Sequence, residues 1–445
     1  MSNGIRGGLL YVLAIFFTGG AAAQTEDIEL LRAALNELRQ DYELRITALE
    51  ARLANAEQQA SQMASASTAP APVARNVSAG RAFNPAIGVI FQGQAWNHQK
   101  DPDRFSIQGF PLGGEAGPFE EGLAIGETEI NVSANVDDKF TAWLTLPVAI
   151  EDGEAAVEIE EAWLETTALP NGFSARFGRF FSAIGYLNSK HAHSWDFADQ
   201  PLPYQVFLGD QFLDDGVQLR WIAPSDLYIE LGAEVFRGSR FPGAGAQKSG
   251  YGNRSLFINT GADVGTDHSW LAGVSHLAAT ALDRPSGDED QPLNFSGDAD
   301  TTIAHFVWKW SPNGNWKQRN FVFQGEWFRT TQDGTYTLPG LMPRNYDIDQ
   351  RGWYAQMVYQ PFPRWRFGAR IEGLSSDDSG PAFAGTVLGQ LPDDPRRYSL
   401  MTDWSNSEFS RLRLQYTLDD TGPFNSDQWG LQYIFSIGAH GGHSF

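Results

Sequence analysis

The 445-residue sequence predicts an all-β transmembrane barrel of about sixteen antiparallel strands, with short periplasmic turns and long extracellular loops, preceded by an α-helical coiled coil. Three observations predict it. From Phe83 onward, apolar and polar residues alternate with period two in segment after segment, a spacing that serves a strand and not a helix. The connections between these segments alternate between short and long. Aromatic residues are 13% of the chain while charged residues are only 19%, a balance that suits a surface meeting lipid better than one meeting water.

Taken in order, residues 1–23 read as an export signal. Arg6 supplies the positive start, Leu9 to Phe17 the apolar stretch, and Ala21-Ala22-Ala23 the small-residue cleavage pattern. Residues 24–62 read as a coiled-coil helix. Its apolar positions Ile28, Leu31, Leu35, Leu38, Tyr42, Ile46, Leu49, Leu53, Ala56 and Ala60 step by threes and fours, with one stutter near Tyr42. A seam this narrow calls for partner helices. Residues 63–83, rich in Ala, Ser and Pro, read as a linker to the barrel at 84–445.

The strands are expected near 87–96, 125–136, 140–150, 157–167, 173–180, 215–223, 227–237, 255–265, 268–279, 302–311, 319–330, 351–360, 365–374, 397–405, 409–418 and from Gln428 toward the terminal Phe445. In the last of these, Trp429, Leu431, Tyr433, Phe435 and Ile437 share one face. Phe140, Ala142, Leu144, Leu146, Val148 and Ile150 do the same on the third, opposite Thr141 and Thr145. Inside a bilayer every backbone amide must find a partner, and among sheets only a closed one achieves that. The apolar faces are therefore expected to point outward. Trp310, Phe321, Tyr359, Trp365, Trp404 and Phe409 cluster beside short turns, as an interfacial aromatic girdle would. Long loops are expected at 97–124, 181–214, 238–254, 280–301, 331–350 and 375–396.

Composition narrows the function. The formal charge of −22 disfavours a nucleic-acid partner, and the absence of cysteine removes disulfides, thiolate metal sites and a cysteine nucleophile. Beyond the N-terminus no run of about 18 apolar residues exists, so a bundle of membrane helices is excluded. No G-x-S-x-G, phosphate-loop or zinc-protease motif appears, no cofactor is implied, and no enzymatic activity is expected.

The faces opposite the apolar ones carry Glu127, Glu129 and Asn131 on one strand and Glu230 and Glu234 on another. Later strands carry Arg366, Arg370, Arg397, Arg411 and Arg413. Acids on early strands facing arginines on late ones would line a pore with a transverse field, while pairing with nearby carboxylates or lipopolysaccharide at the rim is the simpler role. In the long connection 181–214, His191-Ala192-His193 stands near Asp196 and Asp199. Imidazole with carboxylate suits zinc, but two histidines at i, i+2 in an unpatterned loop do not suffice, and no metal is assigned.

The segment FGRFFSAIGYLNSKHAHSWDFADQPLPYQVFLGDQFLDDGVQLRWIAP, Phe177 to Pro224, resembles the phosphate-selective porin O/P-like group of Gram-negative outer-membrane porins. The resemblance implies a homo-trimer of sixteen-stranded barrels in the outer membrane, in contact with its lipids and lipopolysaccharide. It also implies passive diffusion of small hydrophilic solutes or ions, and a third loop folded inward as a constriction. The connection at 181–214 has the length for that role, with His191, His193, Asp196 and Asp199 on it. Phosphate selectivity would want a ladder of Arg and Lys, whereas 54 acids here outnumber 32 bases, so cation preference or weak selectivity is expected. The other role open to such a chain is a structural tether or assembly protein, its periplasmic coiled coil reaching toward peptidoglycan.

Overall fold

A computed structural model of the protein describes residues 85–438, apart from 103–104, 152–153, 246–250, 288–291, 390–392 and 423–425. The export signal, the coiled coil and the linker expected at 1–83 lie outside the described residues, as do His440, His443 and Phe445.

Eighteen β segments make one sheet. They are β1 Ala86–His98, β2 Gly122–Ile125, β3 Thr128–Asn135, β4 Phe140–Glu151, β5 Glu154–Val157, β6 Glu161–Thr166, β7 Phe173–Phe181, β8 Leu213–Ile222 and β9 Tyr228–Phe236. They continue as β10 Asn253–Val264, β11 His268–Ser286, β12 Leu293–Trp310, β13 Asn320–Thr337, β14 Arg344–Phe362, β15 Trp365–Ser376, β16 Arg396–Ser407, β17 Ser410–Asp420 and β18 Ser426–Gly438. Segments β2 and β3 both pair with β1, and β5 and β6 both pair with β4, so each couple is one interrupted stave. The staves number sixteen. Each pairs antiparallel with its sequence neighbours, and β1 pairs with β18 from Gly88↔Gly438 to His98↔Gln428. The sheet is a closed barrel without a free edge.

The barrel is apolar outside. Leu256, Leu400, Leu431, Tyr433 and Ile437 project from strand interiors and are exposed, whereas Gln92, Glu129, Thr145, Gln324, Gln356, Ser399 and Gln415 are buried on the inward face. At the short-turn end, Trp310 pairs with Phe321, Phe321 with Tyr359, and Trp365 with Trp404, so these aromatics meet across neighbouring strands.

Four strands run past their expected ends. Residues 280–301 and 331–350, expected as loops, lie largely in β11 to β14, which reach 18 or 19 residues and leave only 287–292 and 338–343 as connections. The pairing continues because inward residues stay apolar: Phe295, Tyr336, Tyr346 and Ile348 form a buried cluster with Phe383 and Leu388 of the 377–395 loop. Polar outward residues such as Asp298 hid that continuity in the sequence.

Pro147 shapes the wall. Its carbonyl accepts from Glu158, so its missing N–H would have pointed at the same neighbour. Pairing of β4 with the next stave lapses there, at 158–160, and resumes at Thr145↔Glu161. The lapse breaks the strict alternation of side chains, so neighbouring Glu160 and Glu161 both reach the same inward histidine.

Candidate functional site

The 182–212 connection, third in order among those at the long-loop end, folds into the barrel and hydrogen-bonds to its inward face on many staves. Near its start, Glu234 of β9 accepts from Ser182 Oγ and from the Ala183 amide, and Ser275 of β11 accepts from the Gly185 amide. Glu326 of β13 then accepts from the Tyr186 amide (2.9 Å), the Leu187 amide (3.3 Å) and the Tyr204 hydroxyl (3.0 Å). Farther on, Gln415 of β17 accepts from the Ala198 amide and Glu372 of β15 from the Leu202 amide.

Helix α1, Leu202–Leu208, gives the loop its body. Pro201 precedes it as the N-cap and Gly209, in the left-handed region at φ 67°, ends it, so the seven-residue helix has built-in stops. Every residue of the helix is buried. Its Tyr204, Val206, Phe207 and Leu208 pack with inward-facing Phe236, Leu277, Ile303, Phe328 and Leu374 of the wall. Part of the lumen is thus filled by an apolar plug, something the polar lumen expected from the sequence did not include. The signal was available: PLPYQVFL is too apolar for an exposed loop and too short to cross a membrane.

The late-strand arginines lie inward and converge on the loop. Arg366 contacts Asp196 at 2.7 Å and also Asp403. Arg370 contacts Asp199 and Glu372, each at 2.8 Å, and Arg397 contacts the same two carboxylates at 3.1 and 3.0 Å. Arg413 contacts Asp403 at 2.9 Å and donates to the Trp195 carbonyl, while Arg411 donates to that of His193. Asp196 and Asp199 are therefore placed as counter-ions of the arginines, apart from the two histidines. Burial opposes ionisation of Asp199, but the charges of Arg370 and Arg397 prevail and hold its carboxyl below the usual range.

The histidines meet the acidic wall instead. His191 Nε2 lies 3.0 Å from Glu161, and its Nδ1 lies 3.3 Å from Glu160 and 3.5 Å from Glu129. His193 Nδ1 lies 2.7 Å from Glu129. Glu129 is held in turn by Asn131, Asn131 by Thr145, and Thr145 by Trp143. Burial disfavours the imidazolium of His191, yet the adjoining carboxylates of Glu160, Glu161 and Glu129 outweigh it and raise the imidazole well above its usual range. Glu127 lies in the break between β2 and β3, beside this cluster. Glu160 and Glu161, absent from the sequence-predicted site, join it through the lapse in strand pairing opposite Pro147.

Glu230 accepts from Tyr228 and Asn259, and Arg220 lies 3.6 Å away. It lines a cavity of about 530 Å³ with Tyr186, Lys190, Asp263 and Trp270, at the short-turn end of the loop plug. A second cavity of about 480 Å³, lined by His98, Lys100, Phe105, Asp419 and Gln428, lies toward the long-loop end. Burial beside Lys309 lowers the Lys190 ammonium to about 8.

No family model matches the sequence. A protein of Aquifex aeolicus, described only as uncharacterized, is 32% identical over 399 residues, covering 82% of this chain and 81% of its own. The chain belongs to the same family as that protein. Among solved structures, the outer membrane channel DcaP of Acinetobacter baumannii matches with a TM-score of 0.48 and 12% identity, over 79% of this chain and 96% of its own. An anion-selective porin from Comamonas acidovorans matches with a TM-score of 0.48 and 9% identity, over 79% and 98%. OprB of Pseudomonas putida gives 0.47 and 11%, over 80% and 94%.

Proposed function

We propose that this chain is an outer-membrane porin through which small hydrophilic solutes and ions diffuse passively, with the 182–212 loop as the constriction. One observation carries the reading: the closed barrel is inverted, with exposed Leu, Tyr and Ile outside and buried Glu, Gln and Arg within. Water-soluble folds bury their apolar face, whereas a barrel in lipid must expose it. A cavity against the loop, lined by Lys190, Glu230 and Asp263 among others, and another toward the long-loop end, with Lys100, Asp101 and Asp419 in its lining, fit a path past the plug. No covalent chemistry is required.

Charge supports cation preference. The late-strand arginines are matched by Asp196, Asp199, Glu372 and Asp403, so their field is largely spent locally. Among the described residues, the charge partners of the acidic wall at Glu129, Glu160 and Glu161 are imidazoles rather than arginines. A homo-trimer, seated among lipids and lipopolysaccharide and held through the coiled coil, completes the proposal.

Planar-bilayer recording of the purified full-length chain tests it. The expected result is stepwise conductance grouped in threes, with reversal potentials in a salt gradient that favour cations. Absence of any ion-permeable state leaves the coiled-coil tether as the role. Anion selectivity abolished by Arg366→Ala with Arg370→Ala points instead to a phosphate-type channel.

A further inference from the structure

The junction of the inward loop with the acidic wall has the layout of a metal centre. Glu129 of β3, Glu160 of the β5–β6 break and His191 of the loop present one ligand atom each, all mutually within 4.8 Å. His191 Nδ1 stands 3.3 Å from Glu160 Oε2 and 3.5 Å from Glu129 Oε2. A tetrahedral zinc with bonds of about 2.0–2.1 Å sets its ligand atoms about 3.3 Å apart, so the two spacings from His191 match such a polyhedron, and the two glutamates stand within 4.8 Å of each other.

Two of the three atoms are also left wanting. His191 Nδ1 and Glu160 Oε2 are shut away from solvent and face each other at 3.3 Å without forming a hydrogen bond of good geometry. Buried polar atoms in folded proteins almost always find one. The surrounding groups are those an imidazole–carboxylate metal site uses. His191 Nε2 lies 3.0 Å from Glu161, the carboxylate that would fix its tautomer and aim Nδ1 at an ion. The second oxygen of Glu129 contacts His193 Nδ1 at 2.7 Å.

We propose that Glu129, Glu160 and His191 bind a divalent transition metal of the zinc class, with Glu161 and His193 as outer-shell partners and one coordination position left for water. The ion ties the middle of the inward loop to the acidic wall and neutralises part of its charge. Binding itself does not depend on conduction, so the two readings fail separately.

The test is titration of the chelator-treated, detergent-folded full chain with Zn²⁺ by calorimetry, and with Co²⁺ by visible absorption. One site per chain is expected, giving the intense d–d bands of tetrahedral Co²⁺. His191→Gln and Glu160→Gln are expected to abolish that site, and Glu161→Gln to weaken it by roughly 10–100-fold. His268→Gln, on β11 outside the cluster, leaves it intact. Circular dichroism and the heat-dependent gel shift of each variant report whether it folds. Should a variant not fold, the wild-type Co²⁺ spectrum still decides. Absence of tetrahedral bands in folded wild type, or equal binding by folded His191→Gln and Glu160→Gln, overturns the proposal.

Discussion

Replacing Asp199 with asparagine removes one negative charge from between two guanidinium groups while nearly preserving shape. Arg370 and Arg397 are 1% and 4% exposed, and Asp199 contacts them at 2.8 and 3.1 Å. After the change, two buried cations share Glu372 as their common carboxylate. Breaking a buried pair by removing one partner costs roughly 3–5 kcal/mol, because the remaining charge is left uncompensated. At about 1.4 kcal/mol per tenfold, local opening of the loop becomes roughly a hundredfold to several thousandfold more frequent. The opening should be confined to the side of the loop that Asp199 anchors. Hydrogen exchange reads it directly: the amides of Ala198 and Leu202, which donate to Gln415 and Glu372, lose protection by that factor. Those of Tyr186 and Leu187, which donate to Glu326, keep theirs. Unchanged exchange at Ala198 and Leu202, or an equal rise throughout the loop, refutes the reasoning.

Acidification should act on the same anchor with a definite sign. The folded-state affinity of Asp199 for protons is depressed, so its contribution is present above the ordinary carboxylate range and is lost as pH falls through its lower folded value; Ala198 exchange, corrected for intrinsic rate, should then rise below about pH 4. Asp210 behaves oppositely, because burial, with Glu115 and Asp199 adding, pushes its carboxyl up to about 8. The folded state then keeps a proton that the unfolded chain releases near pH 4, so stability falls as pH rises from 4 to 8. Asp210→Asn should raise urea stability at pH 7 by a few kcal/mol, at about 1.4 kcal/mol per pKa unit, and change nothing near pH 4. Leu400, exposed on the outer face of β16, tests the lipid contact: Leu400→Arg should lower folding stability in vesicles by roughly 2–4 kcal/mol, and an unchanged urea midpoint would count against a membrane-facing position.

Sixteen staves were legible because period-two alternation is a local property, and each stave carries enough of it to be read alone. Their ends were less legible. In β11 to β14 the outward residues turn polar beyond the apolar belt while inward Phe295 and Tyr336 keep the ladder paired, so polarity looked like loop. Alternation also placed Arg366, Arg370, Arg397, Arg411 and Arg413 on the inward face, where they lie. Their partners were not legible. Asp196 and Asp199 stand some 170 residues from Arg366 and Arg370 in sequence, and only the fold of the loop decides that they pair with arginine rather than with His191. The histidine cluster depends on the lapse that Pro147 imposes on the neighbouring stave, a backbone effect that the residue pattern of β5 and β6 does not itself reveal.

The most direct measurement is lipid accessibility along β17. The chain has no cysteine, so one can be introduced at each position in turn, labelled with an environment-sensitive fluorophore and reconstituted in vesicles containing a nitroxide-bearing lipid. Labels at Leu412, Leu414, Tyr416 and Leu418 should be quenched, and those at Arg413, Gln415 and Thr417, whose side chains face inward, should not. Quenching that is uniform along the strand, or strongest at Arg413 and Gln415, would contradict a barrel with lipid outside and a polar lumen within.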